Sequence, residues 1–176
     1  MKIMRKSQVL KLARNIQFVI FDFDGVFTDN KVIINENGEE SVTCNRSDGL
    51  GLFKLKQPGV DLLILSAEPN TVVKHRANKL KISCVNSCKD KLKILLREVK
   101  RKKLTLKQVA YVGNDINDLA CLKVVGFPIL VRDAHKDVLS YGKYRTKLAG
   151  GNGAVREVCD LIYTAKTAGR ADDKTL

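Results

Sequence analysis

The sequence predicts an α/β fold, a Rossmann-like parallel sheet with helices on both faces, and three observations predict it. Short apolar runs of strand length alternate with segments whose apolar residues recur at helical spacing, the pattern of βαβ units. Polar residues stand at the ends of successive apolar runs, where such sheets collect their ligands. The 176 residues, 44% of them hydrophobic, suffice for one buried core and are too few for two ordinary domains, so a single domain over residues 1–176 is expected.

The first strand is the run from Phe18 to Phe23, followed by VDLLIL from Val60, ISCV from Ile82, VAYVG from Val109 and PILV from Pro128. The spacing predicts helices over Asn70–Leu80, Asp90–Lys102, Asn117–Val125 and Ala154–Ala165. In the second of these Leu92, Leu95, Leu96 and Val99 fall on one helical face. Between Asp24 and Ser66 there is room only for a β-hairpin, from Lys31 to Cys44. A glycine-rich segment with Gly150, Gly151 and Gly153 opens a tail and helix over about residues 149–176.

In FVIFDFDGVFTDN, Asp22 and Asp24 stand directly behind the first strand. An unpartnered carboxylate there costs several kcal/mol on burial, at roughly the low end of the range for a charge. Asp24-Gly25 is also a turn signal, so capping the loop is one reading of the pair. The other strand ends favour chemistry. Ser66 follows DLLIL, Lys91 opens the helix after ISCV, and GNDIND follows VAYV. A nucleophilic carboxylate, a second carboxyl, a hydroxyl, a lysine and an acidic loop are the set that phosphoryl transfer through an aspartyl-phosphate requires. Asp22 would attack phosphorus. Asp24 would protonate the leaving alkoxide and later take a proton from water. Ser66 and Lys91 would hold the phosphoryl oxygens, and Mg²⁺ would sit between Asp22, the main chain at Asp24 and the GNDIND loop.

The net charge of +13 comes from 32 basic and 19 acidic residues. It invites a nucleic-acid reading. Yet the basic residues of KDKLKILLREVKRKK follow a solvated helix face, and aromatic residues are not interleaved with them as a stacking platform would need. No nucleic-acid partner is expected. No apolar run approaches the ~20 residues of a membrane span, and MKIMRKSQVLKLARN lacks the apolar block of a signal peptide. No membrane partner and a cytoplasmic location are expected. The five cysteines form no zinc or CxxC spacing and are expected to be reduced thiols.

Together these motifs resemble the haloacid-dehalogenase-like phosphatases. DFDGVFTD matches their first motif, the strand ending in Ser66 the second, Lys91 in KDK the third and GNDIND the fourth. The hairpin segment, the DAH from Asp133 and AGGNGAVREVCDLI from Ala149 are similar to the capless subgroup of 3-deoxy-manno-octulosonate 8-phosphate phosphatases and nonulosonate 9-phosphate phosphatases. That resemblance implies a Mg²⁺-dependent phosphatase of acidic sugar phosphates and an open site without a cap. It also implies a homotetramer in which a neighbouring chain's glycine-rich tail helps close the site, with Thr28 of the first motif at the substrate. A cytidylyltransferase of the same pathway is an implied partner. The alternative is a non-catalytic oligomerisation module, like the related domain fused to acylneuraminate cytidylyltransferases.

Two departures bear on this. Close relatives begin the fourth motif Gly-Asp-Asp, whereas Asn114 stands here with Asp115 beside it, so the metal set reads Asp22, Asp24, Asn114 and Asp115. Ser66-Ala67-Glu68 replaces the Thr-Gly-Arg of octulosonate phosphatases. Glu68 resembles the nonulosonate branch, with Arg76, Lys79 and the tail's Arg156 as cationic partners for a carboxylate. SAEPN reads equally well as the cap of the next helix.

Overall fold

A computed structural model describes residues 4–168. In chain order its elements are α1 (Lys6–Arg14), β1 (Phe18–Phe21), β2 (Ile33–Ile34), β3 (Glu40–Ser41), α2 (Ser47–Lys56), β4 (Asp61–Leu65), α3 (Val72–Leu80), β5 (Ser83–Val85), α4 (Lys91–Arg101), β6 (Val109–Gly113), α5 (Leu119–Val124), β7 (Phe127–Leu130), β8 (Tyr144–Arg145) and α6 (Ala154–Thr167). The main sheet runs β5-β4-β1-β6-β7-β8 and every pairing in it is parallel. The expected architecture is therefore the observed one.

Each residue of β1 is fully buried, as a strand covered by helices on both faces must be. Its neighbours are β4 and β6, with Phe18 level with Asp61 and Val109 and Phe21 level with Ile64 and Val112. The chain leaves β1 towards β4 on one side and later returns to β6 on the other, so the strand order reverses at β1. A crevice opens at such a reversal, outside the carboxyl ends of the strands. Asp22 sits there, its amide donating to the Val112 carbonyl at 2.9 Å.

Two helices and an edge strand were not legible in the sequence. α1 packs its buried Val9 and Ala13 in the core while its polar residues face out. α2 is SDGLGLFKLK, whose two glycines lower helix propensity by about 1 kcal/mol each. The fold uses one of them. A Cβ at Gly51 would lie 2.7 Å from Arg156 Cδ and 3.1 Å from Arg156 Cα, so glycine lets α6 cross close to α2. The helix expected over Asn117–Val125 begins only at Leu119, because Ile116–Asp118 is a 3₁₀ turn capped by the Asp115 carboxylate. The hairpin is short: Ile33 pairs with Ser41 and Ile34 with Glu40, and a lone bridge joins Thr28 to Cys44. Val32, Ile33 and Ile34 are exposed on it, at 52%, 64% and 62%.

Within one chain the glycine-rich segment packs against the loop after β1. Gly150 and Gly151 press on the main chain of Gly25, Thr28 and Asp29 in the same chain, so that a Cβ at either would overlap it. Asp133 accepts a hydrogen bond from the Gly150 amide at 2.9 Å and Val26 O accepts one from Gly151 at 3.1 Å. Residues 149–153 thus form a turn that buttresses the loop after β1. The remainder of the predicted tail, residues 169–176, lies outside the described residues.

Candidate active site

The strand ends converge. A cavity of about 300 Å³ is lined by Asp22 and Asp24 after β1, Ala67 and Glu68 after β4, Asn114 to Asn117 after β6, and Asn30. Asp22 is nearly fully buried, and its Oδ1 accepts from the Phe23 amide at 2.7 Å. Asp24 is half-buried and Glu68 exposed at the rim. Ser66 is fully buried behind them, its Oγ accepting from the Glu68 amide at 3.2 Å.

Lys91 comes from the first turn of α4, a helix whose N-cap Asp90 accepts from the Lys93 amide at 2.9 Å. Its buried ammonium lies 2.8 Å from Asp22 Oδ1 and 2.8 Å from Asp118 Oδ1. Asp118 also accepts from the Tyr111 hydroxyl at 2.6 Å and, through Oδ2, from the amides of Asn114 at 2.9 Å and Asp115 at 3.4 Å. In the sequence Asp118 is only the last residue of the GNDIND loop. Tyr111 lies inside an apolar run and reads as core, with no signal that its hydroxyl meets a carboxylate.

Two buried carboxylates therefore share one ammonium. Burial first, and the Asp118 charge second, push Asp22 up to about 8 against the pull of Lys91 and the Phe23 amide. Burial and the neighbouring Glu68 raise Asp24, opposed by Lys91 and a hydrogen bond from Ser66. A raised carboxyl suits a group that must donate a proton. Burial disfavours the charged Lys91, yet Asp22 and Asp118 outweigh that and leave it above the usual lysine value.

The neutral Asn114 tests whether a hard cation fits. Its Oδ1 is buried without a hydrogen-bond partner, an oxygen whose desolvation costs about 1–3 kcal/mol unless something binds it. Gly25, at φ +74°, makes room for that side chain, since a Cβ there would overlap the amide. Among the described residues no three His, Cys, Asp or Glu side chains converge as a metal site. A cation here depends on the Asn114 oxygen together with Asp22, and a magnesium ion, which takes oxygen ligands, fits that donor set.

Other expected site residues stand elsewhere. Thr28 is buried, and its Oγ1 accepts from the Gly25 amide at 3.1 Å and the Asn30 amide at 3.3 Å, shaping the loop and not lining the cavity. Arg76 donates to the Asn45 carbonyl at 2.7 Å and with Lys79 lines a second groove, beside Leu50 and Phe53. Arg156 pairs with Asp160 at 2.6 Å, one turn along α6. None of these three cations reaches the cavity of its own chain. The helical periodicity located them, but only tertiary packing decides which groove a helix face borders.

Comparison with known proteins accords with this geometry. The family model of haloacid dehalogenase-like hydrolases matches residues 64–158. The chain belongs to the haloacid dehalogenase-like hydrolases. Within them it is 36% identical over 161 residues to the 3-deoxy-D-manno-octulosonate 8-phosphate phosphatase of Yersinia pestis, covering 91% of this chain and 86% of that one. Among solved haloacid dehalogenase-like structures, the 3-deoxy-D-manno-octulosonate 8-phosphate phosphatase of Moraxella catarrhalis, in complex with magnesium ion, phosphate ion and KDO, superposes with a TM-score of 0.90. It is 34% identical and the match covers 97% of this chain and 99% of that one. A HAD family hydrolase from Streptomyces avermitilis matches at 40% identity and a TM-score of 0.84, over 88% of each chain.

Proposed function

We propose that this protein is a phosphoric monoester hydrolase of the sugar-acid type, acting through an aspartyl-phosphate on Asp22. The observation that carries the proposal is the buried Asp22–Lys91 pair at 2.8 Å, set at the reversal of strand order with Asp24 two residues on. Asp22 attacks the phosphorus of the ester. Asp24 gives its proton to the departing alkoxide, then accepts one from the water that hydrolyses the aspartyl-phosphate. Lys91 and Ser66 hold the phosphoryl oxygens. Asp22, the main-chain carbonyl of Asp24 and the Asn114 amide would hold a Mg²⁺, with Asp115 beside them. Bound there, the ion offsets the charge of two anions drawn together. Asp22, Asp24 and Lys91 are all present and in reach of one another, which favours an enzyme over a non-catalytic module.

The substrate is a phosphorylated sugar acid of eight or nine carbons. The relatives named for octulosonate 8-phosphate support the shorter one; Glu68 at the cavity rim supports the longer. A substrate carboxylate needs cations, and within one chain the cavity wall offers carboxylates instead. Arg76, Lys79 or Arg156 would have to come from a neighbouring subunit, which accords with a homotetramer assembled through the exposed hairpin. The test is phosphate release from a panel of octulosonate and nonulosonate phosphates, with and without Mg²⁺. Faster turnover, by kcat/KM, of nonulosonate 9-phosphates is expected. A tenfold advantage of the eight-carbon substrate, about 1.4 kcal/mol in the transition state, would assign the protein to the octulosonate branch, and no release from any member would end the phosphatase reading.

A further inference from the structure

Asp118 is wholly buried and each of its oxygens is in use. Oδ2 accepts from the amides of Asn114 and Asp115, which ties the carboxylate to the loop after β6. Oδ1 accepts from two donors at once, the Lys91 ammonium at 2.8 Å and the Tyr111 hydroxyl at 2.6 Å. A carboxylate oxygen has two lone-pair sites, and here both are filled. Lys91 in turn stands at the same 2.8 Å from Asp22 and from Asp118. Its position is a balance between two carboxylates.

We infer that Tyr111 is a positioning residue for the reaction, its hydroxyl occupying half of Asp118 Oδ1 and so holding Lys91 against Asp22. The inference rests on the phosphatase reading for what Lys91 does there. Each donor to an anionic oxygen draws on the same charge, so the tyrosine's hydrogen bond weakens the hold of Asp118 on the ammonium. Without the hydroxyl, Asp118 keeps a lone pair with no donor in a place water does not reach, since Tyr111 is 0% exposed. Lys91 is the donor at hand to satisfy it. The ammonium then moves towards Asp118, away from Asp22 and the phosphoryl oxygens. The ring itself contributes to packing, so removing the hydroxyl alone separates the two roles of the side chain.

The experiment compares the full chain with Tyr111→Phe and with Ile162→Ala, a cavity among the buried residues of α6, a helix that contributes no residue to this network. In Tyr111→Phe, kcat should fall tenfold or more, KM should stay within twofold, and Mg²⁺ affinity by calorimetry should stay within twofold. Ile162→Ala should lower the Tm and leave kcat within twofold. The ¹⁵N resonance of the Lys91 ammonium should shift in Tyr111→Phe and stay put in Ile162→Ala. An unchanged kcat in Tyr111→Phe, an equal kcat loss in the control, or an unmoved Lys91 resonance would overturn the inference. If the wild type hydrolyses no phosphate ester, the phosphatase reading fails by itself, and the Lys91 resonance alone then decides whether the tyrosine sets the lysine's position.

Discussion

Replacing the proposed nucleophile should stop turnover and make the metal-free protein more stable, and the two effects have one cause. Asp22 and Asp118 share Lys91, and Asp22 is pushed from its ordinary value to about 8. A group raised in the folded state contributes most below its unfolded pKa of about 3.9, and that contribution is lost as pH rises through the folded value. Each pH unit in that window weakens the fold by up to about 1.4 kcal/mol. At pH 6 the ceiling is therefore on the order of 3 kcal/mol. Asp22→Asn removes that cost and keeps an oxygen for the Phe23 amide and for Lys91, but it puts an NH2 donor where the carboxyl had its second oxygen. A net gain on the order of 1–2 kcal/mol at pH 6 is expected, roughly 3–6 °C in Tm for a chain of this size. The gain should shrink to a few tenths of a kcal/mol at about pH 4, where Asp22 is protonated in the folded state and about half protonated in the unfolded chain. Thermal melts in EDTA at pH 4, 6 and 8 measure it, beside phosphate release at saturating Mg²⁺. A variant that is less stable than wild type at pH 8 in EDTA, or that turns over, would refute the reasoning. Mg²⁺ should raise the Tm of the wild type more than that of the variant, since only the wild type offers it the carboxylate.

Three further outcomes are expected. Asn114→Asp adds a negative charge at the oxygen that has no partner, so the Mg²⁺ concentration for half-maximal activity should fall at least threefold; an unchanged requirement would move the ligand role to Asp115. Gly25→Ala places a Cβ against the Asn114 amide at φ +74°, and should cost about 1–3 kcal/mol of strain and most of the activity, read by urea denaturation and phosphate release. Ile33→Glu together with Ile34→Glu puts charge on the hairpin side chains that one chain leaves exposed, and should convert a tetramer in light scattering to a smaller species; a monomeric wild type at micromolar concentration would refute assembly through this edge.

The parallel sheet was legible because its strands are continuous apolar runs. A strand buried on both faces has no polar side to show, and β1, β6 and β7 are buried at every position. Asp22, Asp24, Ser66, Lys91 and the GNDIND loop were legible because a polar residue at the end of such a run needs a reason. Local propensity concealed α2, whose glycines look like loop until α6 is laid across Gly51. The two-residue β8 was too short for any period to register.

What the sequence determined by itself is the order of the five long strands and of α3 to α6 along the chain, and which chemical groups stand at the strand ends, since both follow from residues near one another. What only the tertiary structure decided is how those groups meet. Lys91 lies 27 residues from Asp118 and 69 from Asp22, so one ammonium shared between two carboxylates exists only once α4, β1 and the loop after β6 are packed together. The same packing turns Tyr111 from a core residue into a hydrogen-bond donor and leaves the Asn114 oxygen without a partner. It directs Arg76, Lys79 and Arg156 away from their own cavity. Periodicity specifies the face of a helix, but the groove that face borders depends on residues far away in the chain.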